Sequence, residues 1–395
     1  MFQDLPPFDA LPLENARVLV RVDLDGAAGA EDGGADASQL GALVPTLERV
    51  VAGGARLIVA GSRSAARQDD PAPSIEPLAA RLAALTGWEV HVPDECVGDV
   101  ARKVVGDLRA GQICCLENLL AYPGETAGDE AFARELARLA ECYVLDSLSL
   151  APRDWSSLTR LPGLVRQRAV GPALAAELAL LARLVHQPAR PYVAIVAGPS
   201  LEAALPLVEA LRSRVDAFCF AGGAGHTLLG AAGAELGRTP VERAAYPQAR
   251  TLLERLRKAG RDVLLPSDLV VVRAAQDREG EVLAVRAVPS DARAIDLGPD
   301  TIDRFRTRCR GGGTVLWVGD VGASASPAAG SGARLLATSL AVTGAFTVLA
   351  GEAVARAART ASQAVAARLD LVTEAEATVR AALLGQRLPA LDALR

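Results

Sequence analysis

Chemistry in this sequence has to come from arginines, carboxylates and glycine turns, because the other reactive groups are sparse or scattered. Of the 42 basic residues only Lys103 and Lys258 are lysines. Arginine clamps an anion with its planar fork but does not supply lysine's compact, mobile ammonium. The histidines, His91, His186 and His226, stand far apart and give a metal site or triad little support. Cys96, Cys114, Cys115, Cys142, Cys219 and Cys309 show no CxxC spacing and read as buried reduced thiols.

The chain is organised around PYVAIVAGPSLEAALPLVEAL, Pro191 to Leu211. A continuous apolar run, Tyr192 to Ala197, predicts a strand buried on both faces, and Gly198-Pro199 ends it. Ser200 then opens an amphipathic helix with Leu201, Ala204, Leu205 and Val208 on one face, and Pro206 inside it predicts a kink or a later start. A helix N-terminus at the carboxyl end of a strand offers unpaired N–H groups to phosphate, so this is a candidate anion loop. The same pattern occurs throughout α/β domains and is not specific. Gly222-Gly223-Ala224-Gly225 permits close backbone approach after another strand, without the G-x-G-x-x-G spacing or a Walker GK[ST]. Asp303 to Arg310, DRFRTRCR, reads as a solvated helical face.

The surrounding elements predict how these turns are held. With 395 residues, 50% hydrophobic, the chain can bury a large core and divides into two domains. A net charge of −5 argues against a general nucleic-acid or anionic-membrane surface. No long apolar span or signal-peptide pattern appears, and the expected location is cytoplasmic. Ala16–Asp23, Arg56–Ala60, Glu89–Val92, Gln112–Glu117 and Cys142–Asp146 alternate with helical patterns. After the helical run Gly171–His186 the alternation resumes with Tyr192–Ala197, Ala217–Ala221, Val263–Leu265, Val282–Val288, Thr314–Val318 and Phe346–Leu349. Alternating strands and helices predict mainly parallel sheets in two lobes, with a ligand cleft between them.

VRVDLDG (Val20 to Gly26), LEN (Leu116 to Asn118), YVAIVAG (Tyr192 to Gly198), AGGAGHTLL (Ala221 to Leu229), LLPSDLVV (Leu264 to Val271), DLGPDTI (Asp296 to Ile302), LWVGDVG (Leu316 to Gly322) and GAFTVLAGE (Gly344 to Glu352) fall in the order of the phosphoglycerate kinase motifs. The chain resembles that family over nearly its whole length. The resemblance implies an α/β fold with two Rossmann-like lobes: residues 1–170 on the triose-phosphate side, a hinge helix at 171–188, residues 189–382 on the nucleotide side, and 383–395 returning to the first lobe. It also implies a small-molecule ligand in the interlobe cleft, with ATP and Mg²⁺ as cofactors.

Carried over by position, Arg21, Asp23 and Arg153 match the family's substrate-binding residues. Asp25 replaces an asparagine, and Arg63 stands in for lost cations. Gln39, Ala65 and Leu120 replace arginines; Ser62, Pro152 and Trp155 replace histidines. On the nucleotide side Gly198, Gly222, Gly223 and Gly319 remain, but the two family lysines are Ser200 and Ala204. The ribose glutamate is Ala325, and the phosphate and magnesium loop keeps only Glu352 as a possible metal ligand. Two acidic residues, Glu374 and Glu376, enter a loop that the family fills with glycines. Each charge-assisted bond to phosphate contributes roughly 1.5 to 3 kcal/mol, so these losses predict a degenerate homologue with a binding, regulatory or assembly role. The partner is then a small molecule or a protein, with no nucleic acid and no membrane. The alternatives are an active phosphoglycerate kinase, or an enzyme of different specificity in the same cleft.

Overall fold

In the computed structural model, residues 2, 4–25, 36–65, 70–274, 276–322, 326 and 329–395 are described. Packing divides the chain into one unit of Met1–Ala179 with Gln386–Arg395, and a second of Leu180–Gly385. The division falls inside the helix Pro172–His186.

The first unit is built on a six-stranded parallel sheet of β1 (Arg17–Asp23), β2 (Arg56–Ser62), β3 (Val90–His91), β4 (Ile113–Cys115), β5 (Cys142–Leu145) and β6 (Gln167–Val170), in the order β3-β4-β2-β1-β5-β6. The run Val18 to Val22 is buried throughout, as a central strand covered on both faces requires. Val20 lies between Val59 and Val144 in the parallel register. Asp23 and Ser62 therefore emerge together at the carboxyl edge. The C-terminal residues are pinned to this unit by Ala390 N–H on the Ala151 carbonyl and by Arg168 Nε on the Leu394 carbonyl at 3.0 Å.

The second unit repeats the plan with β7 (Tyr192–Val196), β8 (Ala217–Phe220), β9 (Asp262–Leu264), β10 (Asp268–Val272), β11 (Glu281–Ala284), β12 (Arg293–Leu297), β13 (Thr314–Val318), β14 (Phe346–Ala350) and β15 (Leu371–Thr373). Six form a parallel sheet in the order β15-β14-β13-β7-β8-β9. The remaining three, β11-β10-β12, form a small antiparallel sheet, so the chain is mainly parallel, as expected, with this one exception. The link from Val272 to Glu281 is too short for a helical crossover, so β11 folds straight back on β10. Strand β11 stops at Ala284, and Val285–Ala287 form a 3-10 turn instead of continuing it. Pro206 does not delay its helix, which runs from Leu201 to Leu211 with the proline inside. All six cysteines are buried and unbridged, and no described helix is long and apolar enough to cross a membrane.

Within the helix Pro172–His186, Glu177 lies beside Asp146, whose Oδ1 accepts the Leu174 N–H at 2.8 Å. Burial first, and the Asp146 charge second, push the Glu177 carboxyl from the ordinary 4.5 up to about 7. The folded chain thus holds this proton more tightly than the unfolded chain. The resulting stability is fully present below about pH 4.5 and is lost as the pH rises through about 7. Glu177→Gln should raise the thermal midpoint at pH 8 and change it little at pH 4.5. A midpoint difference of equal size at both pH values would contradict this titration.

Candidate functional site

The carboxyl edge of the first sheet gathers the residues expected to bind substrate. Arg21 sits near the end of β1 with none of its side chain exposed. Its Nε donates to Ser157 Oγ at 2.8 Å and one Nη donates to Ser62 Oγ at 2.9 Å. The same Nη lies 3.4 Å from Glu125 Oε1, and the carboxylate is equally buried. Glu125 comes from the short helix Pro123–Thr126 and also accepts the Ser157 N–H at 3.0 Å and its Oγ–H at 2.5 Å. The Arg21 guanidinium is therefore spent inside the protein.

The other cations are directed elsewhere. Arg63 donates from Nη1 to the Ser74 carbonyl at 3.3 Å, and its backbone N–H goes to Asn118 Oδ1. Asn118, buried in the LEN segment, returns its amide to the Arg63 and Pro73 carbonyls. Arg153 is exposed and lies over the Trp155 ring, 5.3 Å from its centroid. Asp23 accepts the Asp25 N–H at 3.1 Å and the Ser149 hydroxyl. Asp25 keeps an exposed surface while its carboxyl accepts the Ser64 N–H and hydroxyl. Partial burial raises the Asp25 pKa and the Asp23 charge adds to it, against the Ser64 bonds and Arg153. Leu120 and Ala65 supply no charge, and Gln39 lies in the helix Asp36–Ala52. The edge is thus lined by two carboxylates and serine hydroxyls, with Arg153 as its exposed guanidinium.

In the second unit the four expected glycines meet at one place. Gly198 N–H donates to the Asp320 carbonyl at 3.1 Å, and Gly223 N–H donates to the Gly198 carbonyl at 2.8 Å. A Cβ on Gly223 would fall 1.9 Å from the Pro199 carbonyl oxygen; one on Gly222 would fall 2.5 Å from that of Asp320. Gly319, at φ +85°, would collide with Ala197 in the same way. Gly222, Gly223 and Gly319 are required by the packing of backbone on backbone, whereas Gly198 has open space around a Cβ and is required by its φ of +124°.

The candidate anion loop already holds an anion. Ser200 caps its helix by accepting the Ala203 N–H at 3.1 Å, and the Glu242 carboxylate accepts the Leu201 N–H. A carboxylate at a helix N-terminus satisfies the same donors and dipole that a phosphate would. Ala204 is buried in the apolar face of that helix. Glu242, 41 residues from its partner, has no local signal in the sequence.

The remaining nucleotide-side positions are acidic. Glu352 is exposed at the start of the helix Glu352–Ala361, 3.8 Å from Arg356. Glu374 pairs with Arg359 at 2.6 Å, and Glu376 pairs with Arg380 at 2.7 Å. The Asp320 carboxyl is pushed up by burial first and then by Glu376 and Glu352, with Arg356 opposing. Ala325 lies outside the described residues. Among those described, no group of three His, Cys, Asp or Glu is arranged to hold a metal. These residues fit neither a protein-built Mg²⁺ site nor the phosphates of ATP.

A sequence profile of the phosphoglycerate kinase family matches residues 8–385. Phosphoglycerate kinase of Anaeromyxobacter dehalogenans strain 2CP-C is 35% identical over 351 residues, covering 88% of this chain and 89% of the relative. That of Salinispora tropica is 36% identical over 350 residues, covering 87% of each. The solved phosphoglycerate kinase of Coxiella burnetii superposes with a TM-score of 0.79 at 24% identity, over 99% of this chain and 98% of that one, which establishes the shared fold. On the match of profile and relatives over nearly its full length, the chain belongs to the phosphoglycerate kinase family.

Proposed function

We propose that this family member does not transfer phosphate between ATP and 3-phosphoglycerate and instead acts as a ligand-binding protein on the inherited scaffold. The observation that carries this reading is the helix after β7. The positions that the family resemblance assigns to lysines are a capping serine and a buried alanine, and Glu242 occupies the N-terminus where phosphate would dock. Phosphoryl transfer depends on cations that neutralise the moving group, and neither serine nor alanine supplies one. A coupled assay of phosphotransfer tests this reading directly.

A second reading, an active phosphoglycerate kinase, is favoured by the names of relatives that are 35–36% identical over most of the chain. Arg21 and Asp23 also stand at family positions. Overall identity measures the scaffold, whereas the cations are few and specific. We therefore give the site chemistry more weight.

The first unit provides an independent check. With Arg21 tied to internal partners, Arg63 turned to the Ser74 carbonyl by a single exposed bond and Asp25 adding negative charge, 3-phosphoglycerate should bind weakly. Calorimetric titration at low salt is expected to show no binding tighter than the millimolar range. A micromolar dissociation constant, ordinary for an enzyme substrate, would mean that Arg153 and its neighbours rebuild a cationic cluster.

A further inference from the structure

The second unit contains a cavity of about 350 Å³ between the helices Ser331–Leu340 and Glu352–Ala361, beneath the end of β13. Its volume suits a small organic molecule. The glycine turns at the ends of β7 and β8 do not line it.

The cavity has opposite electrical character at two places on its wall. Arg334 lines it, and among the described residues its guanidinium makes no hydrogen bond or ion pair. The nearby Asp296 does not neutralise Arg334 by contact. Its oxygens accept the N–H groups of Leu297 at 2.9 Å, Gly330 at 2.8 Å and Gly332 at 3.0 Å, so it anchors the chain. Asp320 also lines the cavity, half-buried, and among the described residues its carboxyl has no hydrogen-bond partner. Glu352 and Glu376 act electrostatically on Asp320 and leave that part of the wall with more negative than positive charge, even counting Arg356.

The remaining wall is mostly apolar, with Val321, Ala333 and Ala357, and Thr360 and Arg356 also line it. Trp317 presents only its ring, because its Nε1–H is spent on the Gly319 carbonyl at 3.0 Å. An occupant that satisfies this wall carries a cation, an anion and a short apolar body. A half-buried carboxyl and a guanidinium without partners each gain from a charged hydrogen-bond partner.

We propose that this cavity binds a small zwitterion of the amino-acid class, its ammonium at Asp320 and its carboxylate at Arg334. Because Asp320 also belongs to the nucleotide-side positions, the proposal rests on the ligand-binding reading given above; its test reads amino-acid binding and not phosphotransfer, so the two fail separately. The test is a thermal-shift screen of the full chain against the free amino acids at millimolar concentration, followed by calorimetry on the strongest. The amide of that amino acid, which keeps the cation, and its deaminated acid, which keeps the anion, serve as controls.

At least one amino acid should raise the midpoint, and both controls should bind about tenfold or more weakly, the worth of one charge-assisted hydrogen bond. Arg334→Gln, an exposed substitution, should weaken the amino acid by a similar factor. Ala333→Trp, which fills the cavity, should abolish binding. The proposal is overturned if no amino acid shifts the midpoint, if the deaminated acid binds as well as its parent, or if Arg334→Gln leaves the affinity unchanged.

Discussion

Glu125→Ala is expected to destabilise the first unit by about 3–5 kcal/mol, the cost of leaving one member of a buried ion pair uncompensated. The partner left behind is Arg21, fully buried and 3.4 Å from the lost carboxylate. Ser157, which gives both its N–H and its hydroxyl to Glu125, loses two acceptors at once. The double variant Arg21→Met/Glu125→Leu should recover most of the loss, because apolar residues of similar volume often replace a buried pair at little net cost. Urea unfolding with the transitions of the two units fitted separately gives both values. A loss below about 1 kcal/mol for Glu125→Ala, the range of an exposed pair, would show that Arg21 is free to turn outward and serve a ligand. The distinction matters because Arg21 is the strongest residue-level argument for substrate binding in the first unit.

The sheets were legible where five consecutive residues are buried, as in β1, β7 and β13, because a strand covered on both faces reads as an unbroken apolar run. The short strands β6 and β15 were missed. QRAV and LVT carry too little pattern of their own and are held by pairing with neighbours. Of the antiparallel β11-β10-β12 sheet only the β11 run was read as a strand; β10 and β12 were missed, and an apolar run does not state the direction of its partner.

Within the site, the glycines at 222 and 223 were correctly read as places of close backbone approach, and the structure names the colliding carbonyls. By the resemblance, Ser200 and Ala204 stand where two lysines are expected; the carboxylate that meets that helix start carries no such signal. Glu242 reaches Leu201 across 41 residues, and Glu125 reaches Arg21 across 104, so neither contact leaves a local spacing to recognise. Both are carboxylates that satisfy internal donors where an outside anion was the expectation.

The largest expected effect is on phosphotransfer itself. Catalysis of this reaction consists of positioning and of neutralising charge on the transferred group. Removing one preorganised donor costs on the order of 10² to 10³ in rate, and by the family resemblance a serine and an alanine stand after β7 where two cations are expected. Losses that act as a unit need not multiply, but the lower end of that range already reduces a typical kinase to a very slow one. If nucleotide phosphates docked where the resemblance places them, Asp320 and the exposed Glu352 would repel them, while Glu374 and Glu376 are paired with Arg359 and Arg380. The decisive measurement is a coupled assay of the purified chain with ATP, 3-phosphoglycerate and Mg²⁺ at millimolar concentrations. Turnover below about 0.1 per second, more than tenfold under the usual kinase range, is the predicted result. Turnover of roughly tens per second, within that range, would contradict the loss of phosphotransfer and establish the chain as a working phosphoglycerate kinase.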